Sequence, residues 1–151
     1  MNLDIRPATL EDAEAIAAFN IALALETEDL VLDPAIVVPG VKRLIQSPAF
    51  GHYTVAWQGE ERAACAMTTH EWSDWRNGQI WWFQSVFVAP KYRRKGAFSA
   101  IYNHIEDKAR QDPSVCGLRL YVERENTNAQ ATYQAMGMSE THYRLYERML
   151  D

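Results

Sequence analysis

Four cations, Lys91, Arg93, Arg94 and Lys95, directly follow the apolar run Val86-Phe87-Val88-Ala89-Pro90 and directly precede Gly96-Ala97-Phe98. The order reads as a buried strand, a short basic loop with one glycine, and the start of an amphipathic helix. That helix start has no acidic cap of its own. Its first N–H groups are therefore free, and with the cationic side chains they form a spot suited to phosphate oxygens. A solvated basic turn would account for the charge. It would not account for the buried strand before the loop or for glycine where the helix begins. The residues point to an anionic, phosphate-bearing ligand.

A second group of residues suits a cation. Glu71-Trp72-Ser73-Asp74-Trp75-Arg76-Asn77-Gly78 mixes carboxylates with aromatic rings at a hairpin tip, and Glu26, Glu28 and Asp29 follow a first helical stretch. Carboxylates beside tryptophan attract an ammonium by charge and by cation–π contact. Glu28, Trp72 and Trp75 are thus candidate substrate residues, set against the plain reading of solvated acidic loops. His52, His70, His104 and His142 are scattered without metal-ligand spacing, so no metal is expected. Cys65 and Cys116 lie in strand-like apolar stretches and read as reduced, buried side chains.

The elements that must position these residues follow from periodicity and breakers. Residues 3–7 suggest a short strand. Thr9 and Asp12 resemble a helix start, and Ala13, Ile16, Ala17, Asn20 and Ala24 share one face after it. Asp33-Pro34 opens a second helix, which Pro39-Gly40 is expected to interrupt and Pro48 to end. Strands follow over 52–57, 62–70 and 79–88, with Asn77-Gly78 as the strongest hairpin signal.

Strict alternation in the last of these strands puts Ile80, Trp82, Val86 and Val88 on one face, and Trp81, Phe83 and Phe87 on the other. A strand apolar on both faces is central and covered on both sides. A helix over 97–110 buries Phe98, Ile101, Tyr102, Ile105 and Ala109; a strand over 118–122 comes next. Asn126 or Thr127 caps a short helix through Met136, closed by Gly137, and a final strand is expected over 141–149. The expected fold is α/β (α+β), a mixed, mostly antiparallel sheet flanked by helices, in a single domain over residues 1–151.

With 151 residues the chain suits one domain. Its net charge of −5 gives no support to general nucleic-acid binding. No apolar run approaches the roughly 18 residues that span a bilayer, and no signal-peptide pattern opens the chain. A cytoplasmic protein is expected, with no nucleic-acid or membrane partner.

The basic loop resembles the signature of the GCN5-related N-acetyltransferase (GNAT) family: Gln or Arg, two residues, Gly, one residue, Gly or Ala. Arg93-Arg94-Lys95-Gly96-Ala97-Phe98 matches the first and fourth positions, while Phe98 stands where a small residue is usual. The segment from Asn126 to Met138 resembles the family's Asn-x-x-Ala-x-x-x-Tyr-x-x-x-Gly-hydrophobic stretch at every position. The two segments come in the family's order and at a typical separation, and the resemblance covers nearly the whole chain.

The resemblance implies acetyl-CoA as acyl donor and a primary amine of a small molecule or peptide as acceptor, joined by direct attack in a ternary complex. It implies that Val86, Phe87 and Val88 run beside the pantetheine arm, and that Arg93, Arg94, Lys95, Gly96, Ala97, Phe98 and Ser99 cradle the pyrophosphate. Asn126 is implied to contact the cofactor arm, and Tyr133 to protonate the leaving thiolate. A phenol suits that role because it stays protonated at neutral pH. Many family members take the amine's proton with a strand glutamate. Here Gln84 stands in that stretch, able to position water, and Glu71 is the nearest acidic candidate for the base. Members often pair, so a homodimer is a further expectation.

Two other readings differ in class. Gln84 in place of a base would suit a non-catalytic acyl-CoA sensor of the same fold, against which Tyr133 speaks. Trp72, Trp75, Trp81 and Trp82 would suit a tryptophan-lined binding module, but the doubly apolar strand accounts for Trp81 and Trp82 as core.

Overall fold

A computed structural model describes residues 1–150. The chain divides into two compact units, Met1–Leu120 and the stretch from Tyr121 onward. The first holds a five-stranded sheet in the order β1-β2-β3-β4-β5, comprising β1 (Asp4–Pro7), β2 (Gly51–Gln58), β3 (Glu61–Ser73), β4 (Gly78–Val88) and β5 (Val115–Arg119). The first three pairings are antiparallel and β4 with β5 is parallel, so the sheet is mixed and mostly antiparallel.

Helices α1 (Ala13–Glu28) and α2 (Pro34–Ile45) cover one face. Ile16, Ala17, Val41, Tyr53, Val55, Cys65 and Phe87 form the buried cluster there. Helix α3 (Ala97–Gln111) covers the other, where Phe83 stacks on Tyr102 with ring centroids 4.9 Å apart. Thr9 and Asp12 do open the first helical region: the Thr9 N–H donates to Asp12 at 2.8 Å, and the same buried carboxylate pairs with Arg62 at 2.8 Å.

Helix α2 departs from expectation. It begins as read, with Asp33 accepting from the Ala35 N–H at 2.9 Å, but it runs through Pro39 without a break. Proline removes one ladder bond near the first turns. The apolar face of Val37, Val38, Val41, Leu44 and Ile45 packs into the core cluster and outweighs that loss.

The hairpin at Asn77 forms, with Asn77 at φ 48° and Gly78 opposite Ser73. Gly78 is also required by close approach, since a Cβ there would lie 3.0 Å from the Cys116 sulfur. Strand β5 begins earlier than expected, at Val115, and ends at Arg119. Pro113 stops α3, and the Val115 N–H turns straight back onto Asp112, so pairing with Gln79 starts at once.

The strict alternation expected of β4 fails at Ser85. Cys65 faces Phe87 and Met67 faces Gln84, so β4 carries one extra residue there, with Ser85 at φ 32°. The bulge inverts the faces beyond it. Phe87 packs against Phe19 of α1, on the face opposite Phe83, with centroids 5.1 Å apart.

In the second unit α4 spans Thr127–Ala135, capped by Asn126, whose side chain accepts from the Ala129 N–H at 3.2 Å. Its end is closed by Gly137 at φ 93° and by the Met138 N–H on the Tyr133 carbonyl at 3.0 Å, as the Gly137 signal implies. The strand expected over 141–149 is not formed. A strand needs a ladder partner, and none lies beside Tyr143, Leu145, Tyr146 and Met149 among the described residues; all are well exposed.

Candidate active site

The basic loop separates its cations into two kinds. After β4, Pro90–Tyr92 form one 3-10 turn, with Tyr92 buried and its hydroxyl donating to Glu61. Lys91 binds the same carboxylate at 2.9 Å. The Arg93 Nε donates to the Val88 carbonyl at 2.9 Å, its Nη2 pairs with Glu26 at 2.8 Å, and its guanidinium lies over Phe87 at 5.3 Å. Lys91 and Arg93 thus fasten the loop to β3, to β4 and to α1. Arg94 and Lys95 are exposed, and among the described residues they make no ion pair.

The backbone between them is left-handed at Arg94 (φ 61°) and at Gly96 (φ 82°), and no side chain caps α3. The first-turn N–H groups of an α-helix have no intrahelical partner. At α3 they belong to the segment from Ala97 to Ser99, with Arg94 and Lys95 beside it. This meets the requirement for a pyrophosphate: donors, a positive helix end and uncommitted cations. Phe98 does not obstruct the turn with a bulky outward ring. It is half-buried and meets Tyr102 edge-on at 6.1 Å, one turn further along the same helix.

The strand leading into the loop has an open edge. Strand β4 pairs with β5 from Gln79↔Val115 to Trp82↔Arg119. From Phe83 to Val88 it has no β5 partner among the described residues, and the bulge at Ser85 lies within this stretch. Val86, Phe87 and Val88 therefore present an edge that an extended ligand could pair with.

Glu71 and Gln84 share a face of the sheet with Trp82, Thr69 and Arg119, as the register places them. The Glu71 carboxylate accepts from the Trp82 indole at 2.7 Å and from Arg119 at 3.1 Å. The Gln84 amide donates to Thr69 at 3.3 Å, which aims its carbonyl oxygen elsewhere. Arg119 was missed in the sequence because its link to Glu71 crosses two strand pairings, and no local spacing announces it.

Between α1, α2, β2 and the β4 bulge lies a pocket of about 430 Å³, lined among others by Asn20, Leu23, Glu28, Val37, Tyr53 and Ser85. Glu28, a candidate from the sequence, is there. Trp72 and Trp75 are not; they stand exposed to 60% and 88%. Asn20, Tyr53 and Ser85 were not singled out by the sequence, where each reads as an ordinary helix or strand position. Burial pushes the Tyr53 phenol up, opposed by its contact with Asn20.

In the second unit, Asn126 is the helix cap described above, and Tyr133 sits half-buried on α4. Burial pushes the Tyr133 phenol above its ordinary value, which keeps it protonated at neutral pH. Elsewhere, burial pushes the Cys65 thiol up to about 12, which makes it an inert core side chain. Cys116, expected to be buried, is exposed at the start of β5. Among the described residues no three His, Cys, Asp or Glu side chains gather in a way that could hold a metal, and no helix is long and apolar enough to cross a membrane.

Comparison with known proteins bears on this geometry. The family model described as "Acetyltransferase (GNAT) family" matches residues 22–138. A structure described as "a possible acetyltransferase from Clostridium difficile 630" is 43% identical, with a TM-score of 0.93, covering 100% of this chain and 99% of that one. A predicted acetyltransferase from Clostridium acetobutylicum, solved with acetyl-CoA, shares the fold at 12% identity and TM-score 0.78, covering 97% of this chain and 96% of that one. AAC(6')-Iy, solved in complex with the bisubstrate analog CoA-S-monomethyl-acetylneamine, does so at 16% identity and TM-score 0.78, with 100% of both chains covered. A search of curated proteins found no match.

Proposed function

Because this chain belongs to the GNAT acetyltransferase family, we propose that it is an acetyl-CoA-dependent N-acetyltransferase acting on a primary amine of a small molecule or peptide, by direct attack in a ternary complex. The observation that carries the reading is the bulge at Ser85. It lies where β4 has left β5, just before an uncapped helix flanked by two uncommitted cations. An open strand edge leading into a phosphate site fits a long ligand that is amide-bearing along its arm and anionic at its end.

Acetyl-CoA, when bound, supplies an activated acyl carbon and a thiolate leaving group. The remaining work falls to this chain. Val86, Phe87 and Val88 run beside the arm, with the Val88 carbonyl already engaged by the Arg93 side chain and Phe87 paired with Cys65 of β3. The N–H groups from Gly96 to Ser99, with Arg94 and Lys95, hold the pyrophosphate, while Arg93 holds the loop in shape. Asn126 offers its remaining side-chain N–H groups to the arm. Tyr133 gives its proton to the departing sulfur.

The acceptor enters as an ammonium and must lose a proton before its nitrogen can attack. Gln84 holds a water to receive it. Glu71 is the carboxylate nearest in role, although its oxygens are already engaged by Arg119 and Trp82. We place the acceptor in the pocket that Glu28 and Ser85 border.

Two measurements on the purified protein test the reading. Acetyl-CoA should raise the melting temperature, since a ligand that binds only the folded state adds about 2.7 kcal/mol at 100 times its Kd. A panel of primary amines should then release CoA thiol. No thermal shift removes acetyl-CoA as the ligand. A shift with no release from any amine leaves an acyl-CoA sensor instead.

A further inference from the structure

The pocket over the β4 bulge is uneven in a way that narrows the acceptor. Its walls are aliphatic, built by Leu23, Leu32, Ile36, Val37 and Val41 from α1, α2 and the loop joining them. Polar groups occur at two places only along α1. Asn20 lies with Tyr53 and Ser85, on the sheet side, and Glu28 lies in the last turn of the helix. Eight residues at 1.5 Å each separate Asn20 from Glu28 by about 12 Å.

At the sheet-side end Asn20 is turned toward Tyr53, and its Oδ1 atom is closed off inside the protein. The polar side chains lining this end that can accept an N–H group are the Tyr53 and Ser85 hydroxyls, and a neutral amine or its ammonium carries such donors. Glu28 and its neighbour Asp29 make no ion pair among the described residues, whereas Glu26 is taken by Arg93. One end of the pocket thus accepts N–H groups, the aliphatic middle excludes charge, and the Glu28 carboxylate at the other end favours a cation's approach.

We infer that the acceptor is a monoamine carried on a compact apolar body, a branched alkylamine or arylalkylamine, rather than a polyamine, an amino sugar or a peptide. This rests on the acetyltransferase reading above and on placing the acceptor in this pocket. A charge or a row of hydroxyls midway along the acceptor, such as the inner ammonium of a polyamine, would lie against Leu23, Val37 and Val41 without a partner, at a desolvation cost. The apolar body instead gains by burial. In the transfer, the amine nitrogen forms its bond to the acyl carbon as the carbon–sulfur bond breaks. The amine gives up one proton and the sulfur gains one, so the products are the amide and CoA thiol.

The test compares kcat/KM, by CoA thiol release with acetyl-CoA, for 3-methylbutylamine, 2-phenylethylamine, spermidine, glucosamine and an alanine-terminated polar tripeptide. The two apolar amines should exceed the others at least tenfold. Ile36→Ser, at a position 72% exposed and so harmless to folding, should raise their KM several-fold without changing acetyl-CoA affinity. Preference for spermidine, glucosamine or the tripeptide, or an unchanged KM in Ile36→Ser, overturns the inference and leaves the enzyme reading intact. No release from any of the five, with acetyl-CoA still raising the melting temperature, overturns both.

Discussion

Arg93 and Glu26 are joined at 2.8 Å, and through that pair the basic loop after β4 is tied to the last turns of α1. The same guanidinium holds the Val88 carbonyl and covers Phe87, so one side chain fixes the strand end, the loop and the helix together. Arg93 is thus committed to holding the loop, while Arg94 and Lys95 make no ion pair among the described residues.

These roles separate under salt. Replacing Arg94 and Lys95 together by Ala should weaken CoA binding by one to two orders of magnitude at low ionic strength. The loss should shrink as salt rises, because exposed charges are screened over about 10 Å at 0.1 M. Arg93→Ala and Glu26→Ala should each weaken binding a few-fold, and the double variant no further, as expected of partners in one contact. Calorimetric titration of CoA at two salt concentrations checks this; full additivity of the Arg93 and Glu26 losses would contradict the strut.

Ser85 holds a left-handed backbone at the bulge, where a β-branched side chain is strained. Ser85→Val should destabilise the protein by about 1–3 kcal/mol, while Ser85→Gly should be neutral or stabilising. Deleting the residue should leave the protein folded, because it restores one-to-one pairing with β3 while Phe87 still faces the core it shares with Cys65 and Phe19. Urea midpoints for the two substitutions, and solubility for the deletion, are the measurements.

Stability should fall as the solution is acidified below about pH 6.5. His52 and His70 lie with Trp81 under α3, and burial lowers the pKa of both from 6.5; His70 further lowers His52, while Asp112 partly opposes the shift of His70. The unfolded chain then binds protons at a higher pH than the folded one. The stability these groups contribute is present above 6.5 and is lost as pH falls toward their folded values. His52→Asn should flatten the dependence of the urea midpoint between pH 7.5 and 5.5. An unchanged slope would show that other groups govern it.

Tyr133→Phe keeps the ring and removes the proton donor. Turnover should drop by about 10²-fold or more, within the range of general acid catalysis, while acetyl-CoA affinity changes less than threefold. Single-turnover rates beside CoA titration distinguish the two effects. Unchanged turnover would take the acid role from Tyr133.

Much of the local geometry of the candidate site was legible in the sequence because its parts are close along the chain. A run such as Arg93 to Ala97 needs only its neighbours to become a left-handed turn opening a helix, and Asn126 and Gly137 cap α4 by contacts within a few residues. Local hydrogen bonds and allowed backbone angles suffice for such features. Periodicity likewise marked α3 by the residues it buries.

What the sequence could not decide depended on residues far apart meeting. Pro39 was tolerated because α2 had a core to pack against, and alternation in β4 failed because β3 presents one residue fewer opposite Ser85. The division of the cations into struts and free charges was set by Glu61 and Glu26, distant in sequence from Lys91 and Arg93. The engagement of Glu71 by Arg119 and the pocket joining Asn20 to Ser85 likewise arise from pairing across strands and helices. Such contacts exist only once the loops between their partners have closed, and no spacing along the chain records them. The chain alone thus determined the basic loop and its family resemblance; tertiary structure decided which of its cations are engaged, at Glu61 and Glu26, and which are not.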